Sequence, residues 1–118
     1  MSYLSLLIGK VVKSVEFDLS STTGINSTQE NLDLIELYLQ LSFDEYDLSI
    51  FNKFSLLGSK DVKSLSGKTI VSIDEKENWI DFIFSDYIQL RLDLSDEGYI
   101  GPEAMHLRGK NNLDVVWN

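Results

Sequence analysis

The chain has 118 residues, of which 19 are acidic and 10 are basic, so its formal net charge is −9 at pH 7. This length suits a single domain, residues 1–118, and the 43% of hydrophobic residues is an ordinary value for a globular protein. The absence of cysteine excludes disulfides, thiolate metal sites and cysteine nucleophiles. The acidity disfavours nucleic acid and anionic membranes as partners, because the field of the protein repels phosphate groups.

The first eight residues form a short apolar segment that ends at Gly9 and Lys10. The segment has neither a basic start nor a small-residue cleavage site, and it is far shorter than the roughly 20 apolar residues that span a bilayer. We therefore expect a cytoplasmic protein.

Two segments resemble each other at a separation of 58 residues, the distance from Gly9 to Gly67. Residues 7–16 align with residues 65–74 and share with them a leucine, a glycine, a lysine and a serine. We interpret the match as an internal repeat, and the alternative is a chance similarity between two strand–turn units. The predicted divisions are a first half at 7–58, a second half at 65–109 and a final strand at 113–117.

A second pair of segments supports the repeat. Residues 43–46, Phe-Asp-Glu-Tyr, align with residues 84–87, Phe-Ser-Asp-Tyr, at a separation of 41 residues. The shorter separation implies an extra stretch in the first half, and residues 18–30 have the polar composition of such an insertion. Both aligned segments are predicted to be hairpin turns.

Apolar and polar residues alternate along several segments, as in strands that bury one face. The alternation runs over residues 35–43, 80–84 and 88–94. Leu32 and Leu34 are out of phase with the first run, which requires a bulge or the start of a strand there.

Other residues in the sequence indicate turns between these strands. Lys110 to Asn112 reads as a turn before the last strand, and Pro102 lies between strands, where it removes no ladder hydrogen bond. Ser27 and Glu30 can cap a short helical turn. The sequence predicts a mainly β fold, an antiparallel sandwich or barrel built from two similar meander halves with at most one short helical turn.

Little in the sequence points to catalysis or to a metal. His106 is the only histidine, so a serine–histidine–aspartate triad would depend on it, and its alternation with apolar residues predicts an ordinary surface or interface position. Residues 93–98 begin like a calcium loop, but the twelfth position is Ala104 instead of a bidentate carboxylate. We predict no cofactor, no metal and no enzymatic activity. A pair of carboxylates for hydrolysis remains an alternative, since so many acids always offer some suitable pair.

The charges are segregated along the chain. Residues 14–52 contain eight acids and no base, whereas five lysines lie between Lys53 and Lys76 and acids dominate again after them. This pattern predicts a strongly negative region if the two acidic stretches share a face. The alternative is a solvated surface that resists aggregation.

Three tyrosines lie in or beside the acidic clusters, and tyrosine is a frequent anchor at protein interfaces. A tyrosine that packs across a hairpin is the alternative. The candidate partner-binding residues are Asp44, Glu45, Tyr46, Asp47, Asp86, Tyr87, Asp96, Glu97 and Tyr99.

Four segments together carry a resemblance to a known group of proteins. They are Ile-Gly-Lys-x-Val-x-Ser-Val-Glu at 8–16, Tyr-x-Leu-x-Ile-Phe-Asn at 46–52, Gly-Pro-Glu-Ala-Met-His-Leu at 101–107, and Leu-Asp-Val-Val-Trp-Asn at 113–118. The chain resembles small acidic bacterial immunity proteins encoded beside polymorphic toxins, including those of contact-dependent growth-inhibition systems. The resemblance implies a cytoplasmic inhibitor of one cognate toxin, commonly a nuclease, and offers no motif that assigns contact residues.

The expected function is therefore that of an immunity protein, an antitoxin that binds a basic toxin domain and covers its active site or substrate channel. Two alternatives stay open. One is a small acidic hydrolase that uses carboxylates, and the other is a β module that forms homo-oligomers.

Overall fold

The computed structural model describes residues 3–18, 32–35, 38–59, 61–99, 101–110 and 112–118, and for residues 32–35 it describes the backbone alone. Most of the described chain is β-structure. The strands are β1 (Ser14–Asp18), β2 (Leu32–Ile35), β3 (Tyr38–Ser42), β4 (Tyr46–Ile50), β5 (Phe54–Leu57), β6 (Ile70–Glu75), β7 (Trp79–Phe84), β8 (Gln89–Asp93), β9 (Met105–Gly109) and β10 (Asp114–Trp117). Short 3₁₀ turns lie at η1 (Tyr3–Leu7), η2 (Val62–Leu65), η3 (Ser85–Tyr87) and η4 (Asp96–Gly98).

The strands form two antiparallel sheets of five strands each. The first sheet has the order β1-β3-β4-β9-β10, and the second has the order β2-β5-β8-β7-β6. Side chains from the inner faces of both sheets belong to one hydrophobic core. The prediction of a mainly β, antiparallel fold is confirmed, and of the two architectures that the sequence allows, the structure is the sandwich.

Alternation along the strands builds this core as expected. In each sheet the inward positions carry leucine, isoleucine or phenylalanine, and each such side chain stabilises the fold by about 1.5–3 kcal/mol when it is fully buried. The fully buried strand residues include Leu39, Leu41, Leu48, Ile50, Phe54, Leu56, Phe82, Leu90, Leu92 and Leu107.

The two halves of the chain are meanders that exchange their last strands. β1, β3 and β4 are neighbours in the first sheet, and β7, β8 and β6 are neighbours in the second. β5 follows β4 in the chain but pairs with β8, whereas β9 follows β8 but pairs with β4. The second sheet therefore contains two strands of the first half, β2 and β5, and the first sheet contains β9 of the second half together with the final strand β10. The sequence pattern did not reveal this exchange.

The segments before β1 and before β6 pair with each other, and we call this pairing the seam. Four backbone hydrogen bonds of 2.7–3.0 Å join residues 9–12 to residues 67–70. The four bonds form two equivalent pairs. Adding 58 to the residue number in the first half and subtracting 58 from that in the second half converts one bond of a pair into the other. The bonds run from Gly9 to Ile70, from Gly67 to Val12, from Val12 to Lys68 and from Ile70 to Lys10. The seam thus has the symmetry that a repeat would produce, although duplication itself stays a prediction.

The seam defines one end of the sandwich. β1 and β6 begin there, and the registers of β1 with β3 and of β6 with β7 place the β3–β4 and β7–β8 hairpin turns at the same end. At the opposite end, the chain crosses from β4 to β5 and from β8 to β9. We call these the seam end and the crossing end.

One strand prediction is wrong at its start. The alternation over residues 35–43 suggested a single strand, but β2 ends at Ile35 in the second sheet and β3 begins at Tyr38 in the first. The alternation of apolar residues does not reveal this change of sheet, because it has a period of two on both strands. Residues 19–31, which include most of the predicted insertion and the Ser27–Glu30 capping pair, lie outside the described residues.

Two glycines with the same backbone conformation allow a matched test of packing at the seam end. Gly9 and Gly58 have φ values of +86° and +85°, but a Cβ on Gly58 would lie 2.5 Å from the carbonyl oxygen of Tyr87, whereas a Cβ on Gly9 would meet no atom within 4 Å. We expect Gly9→Ala to cost about 1 kcal/mol of stability through its left-handed backbone. Gly58→Ala should cost about 2–4 kcal/mol, because the hairpin must also move. Urea unfolding measures both, and equal losses would contradict the close approach.

Candidate functional site

The crossing end is held together by the two connections that exchange strands. The backbone amides of Phe51 and Asn52 both donate to the carbonyl oxygen of Ala104, at 2.9 and 3.2 Å. The amide of Lys53 donates to Gly98 at 2.9 Å, and its carbonyl accepts from Asp93 at 3.0 Å. The short β4–β5 connection therefore fixes the longer β8–β9 connection, which carries the exposed side chains of Asp96 and Glu97.

Asn52 is the polar group at the centre of this arrangement. Its side chain is fully buried, and its Nδ2 donates a hydrogen bond of 2.8 Å to the carbonyl oxygen of Asp93. Its Oδ1 accepts no hydrogen bond from the described residues. Burying an amide oxygen without a hydrogen-bond donor is unfavourable. The hydrogen bond from Nδ2 offsets part of this cost, and it fixes the turn after β8.

Acidic residues are concentrated at the crossing end. Among the described residues, the connections and strand ends there carry seven acids and two lysines. The acids are Asp18, Glu75, Glu77, Asp93, Asp96, Glu97 and Glu103, and the lysines are Lys53 and Lys76. At the seam end, the described connections and strand ends carry four acids and four lysines, namely Asp44, Glu45, Asp86 and Asp114 with Lys10, Lys13, Lys68 and Lys110. Asp47 and Arg108, the next residues along β4 and β9, lie opposite each other and leave this balance unchanged. Lys63 of η2 is not counted there, because its ammonium group lies over the ring of Phe17 on β1, 5.7 Å from the ring centre. The negative charge of the described chain is thus polarised along the strand direction.

An aromatic side chain lies beside this acidic end on the outer face of the second sheet. Trp79 begins β7, and the guanidinium of Arg91 stacks 4.5 Å from the centre of its ring. Arg91 also binds the buried carboxylate of Asp81 through two hydrogen bonds, Nε to Oδ1 at 2.7 Å and Nη2 to Oδ2 at 2.9 Å. The pKa of Arg91 is raised, chiefly by these hydrogen bonds and further by the charges of Asp81 and Asp74, against the opposing effect of burial.

The structure separates the nine residues predicted to bind a partner. Six of them, Asp44, Glu45, Tyr46, Asp47, Asp86 and Tyr87, lie in or beside the hairpin turns at the seam end. Lysines balance the charge of these turns. Lys13 lies 3.7 Å from Asp44, and Lys68 donates a hydrogen bond of 2.6 Å to Asp86. The acidic turns are therefore less negative than the sequence order suggests.

The two hairpin tyrosines are not structurally equivalent. Tyr46 is half-buried, and its ring lies so close to Gly109 that a Cβ there would be 2.7 Å from it. Tyr87 is 97% exposed and has a φ of 63°. The β7–β8 turn is one residue longer, since Phe84 hydrogen-bonds to Ile88 where Phe43 bonds to Tyr46. Tyr46 thus packs across the β4–β9 pair, and Tyr87 alone projects into solvent.

The other three predicted residues lie at the crossing end. Asp96 and Glu97 are exposed in η4, and Tyr99 is half-buried against the core. Since β8 separates them from Asp86 and Tyr87, the two groups are about 17 Å apart along the strand. Reasoning from sequence missed five further acids of this end, Asp18, Glu75, Glu77, Asp93 and Glu103. Four of them lie at the end of a strand or in a turn, and the point where the apolar alternation stops in the sequence could have identified these positions.

His106 lies on the outer face of the first sheet, as predicted. Its Nε2 contacts the carboxylate of Asp114, and its cross-strand neighbour on β4 is Ser49. The Ser49 hydroxyl is buried and lies 3.4 Å from the hydroxyl of Tyr38. Serine, histidine and aspartate thus occur in one row, but the serine hydroxyl is directed to a tyrosine rather than to the imidazole, an arrangement unlike that of a catalytic triad.

Among the described residues, no group of three or more histidine or acidic side chains is arranged to hold a metal ion. The calcium-like segment after β8 serves the turn instead, because Asp93 Oδ1 accepts hydrogen bonds from the amide and hydroxyl of Ser95 at 2.8 and 2.6 Å. Within the same described part of the chain, there is no helix with the length and apolar character needed to cross a bilayer.

Comparisons with known proteins found no matching family model, no matching curated protein and no matching solved structure. The geometry of the crossing end therefore has to be interpreted from its own residues.

The role of Asn52 at the crossing can be tested by truncation. Asn52→Ala removes the donor to the Asp93 carbonyl and leaves a cavity, so we expect a loss of about 1–3 kcal/mol in the free energy of unfolding. The control is Asn78→Ala, an exposed residue of the β6–β7 turn, which should change stability by no more than about 0.5 kcal/mol. If the two variants unfold alike in urea, the Asn52 side chain does not fix the crossing.

Proposed function

We propose that the chain is a binding protein that neutralises a basic protein partner, as an immunity protein neutralises its toxin. The observation that carries this proposal is the polarised charge, since the described residues at the crossing end of the sandwich include seven acids and two lysines. The proposed partner is a toxin domain that acts on nucleic acid, because such a domain presents a positive cleft. The proposed place of action is the cytoplasm.

The physics of charge favours this kind of partner. Acids on fixed connections attract a basic surface from a distance and orient it, which raises association rate constants toward about 10⁸–10⁹ M⁻¹s⁻¹ at low salt. Fast capture is useful to an inhibitor that must act before a toxin does damage. The same field repels nucleic acid and anionic membranes, so neither is proposed as a partner.

The protein is also large enough to form one standard interface. The accessible surface of the protein is 6741 Å², and a standard interface covers about 800 Å² on each partner. One interface would then occupy about an eighth of the surface. The hydrogen bonds between the two connections hold the backbone of this end in place, so binding requires little further ordering.

Binding rather than catalysis is proposed because the most buried carboxylate among the described residues already forms an ion pair. Asp81 is 6% exposed, and Arg91 occupies both of its oxygens on an open sheet face. A general acid or base needs a free oxygen directed toward a substrate. Support for a carboxylate-based hydrolase is therefore weaker than support for a binding surface.

Charge reversal at the two ends tests the proposal. The test set is Asp96→Lys, Glu97→Lys and Glu103→Lys in one variant, and the control set is Asp44→Lys, Glu45→Lys and Asp47→Lys, which changes net charge equally. Where a large toxin-like gene ends immediately upstream of the gene for this chain, the probe is the C-terminal domain of its product. At low salt we expect the test set to lower the association rate constant about 10–100-fold and the control set to lower it less than about 3-fold.

Stopped-flow binding gives the rate constants, and growth on co-expression with the same toxin domain reports protection. Wild-type chain that neither binds the domain nor protects cells would refute the immunity role. Equal losses in the two variants would show that net charge alone, and not the crossing end, governs binding.

A further inference from the structure

Exposed apolar side chains gather at the seam end, around the start of the chain. Five large ones lie on η1, on the segment that follows it and on β6. We call them the N-terminal apolar surface. They are Tyr3, Leu6, Ile8, Val11 and Val71, with exposed fractions of 55%, 40%, 45%, 37% and 57%. Monomeric proteins rarely leave so many large apolar side chains together in water, so this surface calls for a partner.

Backbone contacts show that the members of this surface are neighbours. The amide of Gly9 donates a hydrogen bond of 2.7 Å to the carbonyl of Ile70. Covalent geometry then keeps the Cα atoms of Ile8 and Val71, next to that bond, within about 8 Å of each other. Val11 forms a β-bridge with Thr69, and η1 packs against β6. The five residues therefore line one region beside the edge of the second sheet.

The second half of the chain provides an internal control for this surface. Its seam segment makes the same hydrogen bonds 58 residues later, so corresponding positions have corresponding backbones. Tyr3, Leu6, Ile8 and Val11 correspond to Asp61, Ser64, Ser66 and Thr69, and Val71 corresponds to Lys13. Every exposed apolar residue of the surface thus has a polar counterpart. The fold accepts polar residues at these positions, so the apolar ones serve a purpose other than folding.

The charge distribution indicates what covers the surface. A basic partner is attracted to the crossing end, where acids outnumber lysines by seven to two in the part of the chain that the structure describes. A second copy of this chain, with its own net charge of −9, is repelled there and can approach only where charge is balanced. The seam end, where the described connections and strand ends carry four acids and four lysines, is that place. It is also where the apolar side chains are exposed.

We propose that two copies of the chain form a two-fold dimer through their N-terminal apolar surfaces. The same patch on each copy faces its equivalent, as in most homodimers. Five side chains make a small interface, so the dissociation constant should lie in the micromolar range. The dimer leaves both crossing ends free and does not depend on the proposed immunity role.

The experiment transfers the polar residues of the second half to the first. One variant combines Leu6→Ser, Ile8→Ser and Val11→Thr, and the control is Val116→Ser, which removes an apolar residue of 40% exposure from the outer face of the first sheet. Sedimentation equilibrium from about 1 to 500 µM measures the mass against the 13.4 kDa of one chain. We expect wild type and control to reach twice that mass and the triple variant to dimerise at least about 30-fold more weakly.

Salt and a second variant separate this inference from its rivals. Raising the salt concentration should strengthen the dimer, because it screens the repulsion between two acidic chains, whereas it weakens capture of a basic partner. If the triple variant has a lower urea midpoint than wild type, the variant Val71→Lys takes its place. This variant changes one exposed residue to the lysine found at the equivalent position, Lys13. A wild-type chain that stays monomeric at 500 µM, or a dimer that both variants leave unchanged, would overturn the proposal.

Discussion

The structure depends on one constraint, which is that each half of the chain completes the sheet of the other. β5 pairs with β8, and β9 pairs with β4, so neither meander can close its inner face alone. The buried leucines and phenylalanines of the two sheets therefore form one core rather than two. The seam strengthens this dependence, because its hydrogen bonds again join residues from different halves. The two halves of the chain form one body because each contributes strands to the sheet of the other.

This constraint also gives the molecule two different ends. At the seam end, hairpin turns and paired segments bring lysines beside the acids, as Lys68 does for Asp86. At the crossing end, the chain must pass from one sheet to the other, and its connections are pinned by backbone bonds and by the buried Asn52. These hydrogen bonds hold the connections in place while exposed acids such as Asp96 and Glu97 face solvent. The proposed binding surface and the proposed dimer surface thus lie at opposite ends of the strands.

Much of the fold could be predicted from the sequence, since alternation such as that of Ile80, Phe82 and Phe84 depends only on which side chains face the core. The exchange of β5 and β9 could not, because the same alternation suits either sheet. The candidate site suffered from the same limit. Asp86 and Asp96 are near in sequence, yet β8 carries them to opposite ends. The partial cancellation of charge by Lys13 and Lys68 required their pairing across the fold.

The pairing of β4 with β9 has a further consequence for how the protein is made. Tyr46 lies opposite Gly109, so this contact joins residues that are 63 positions apart in the sequence. Sheets built from such distant contacts fold on a scale of about milliseconds to seconds. During synthesis at about 5–20 residues per second, β4 waits several seconds for its neighbour to leave the ribosome. The first sheet can therefore be completed only after β9 has left the ribosome, whereas the second sheet needs no strand beyond β8 and can be completed before it.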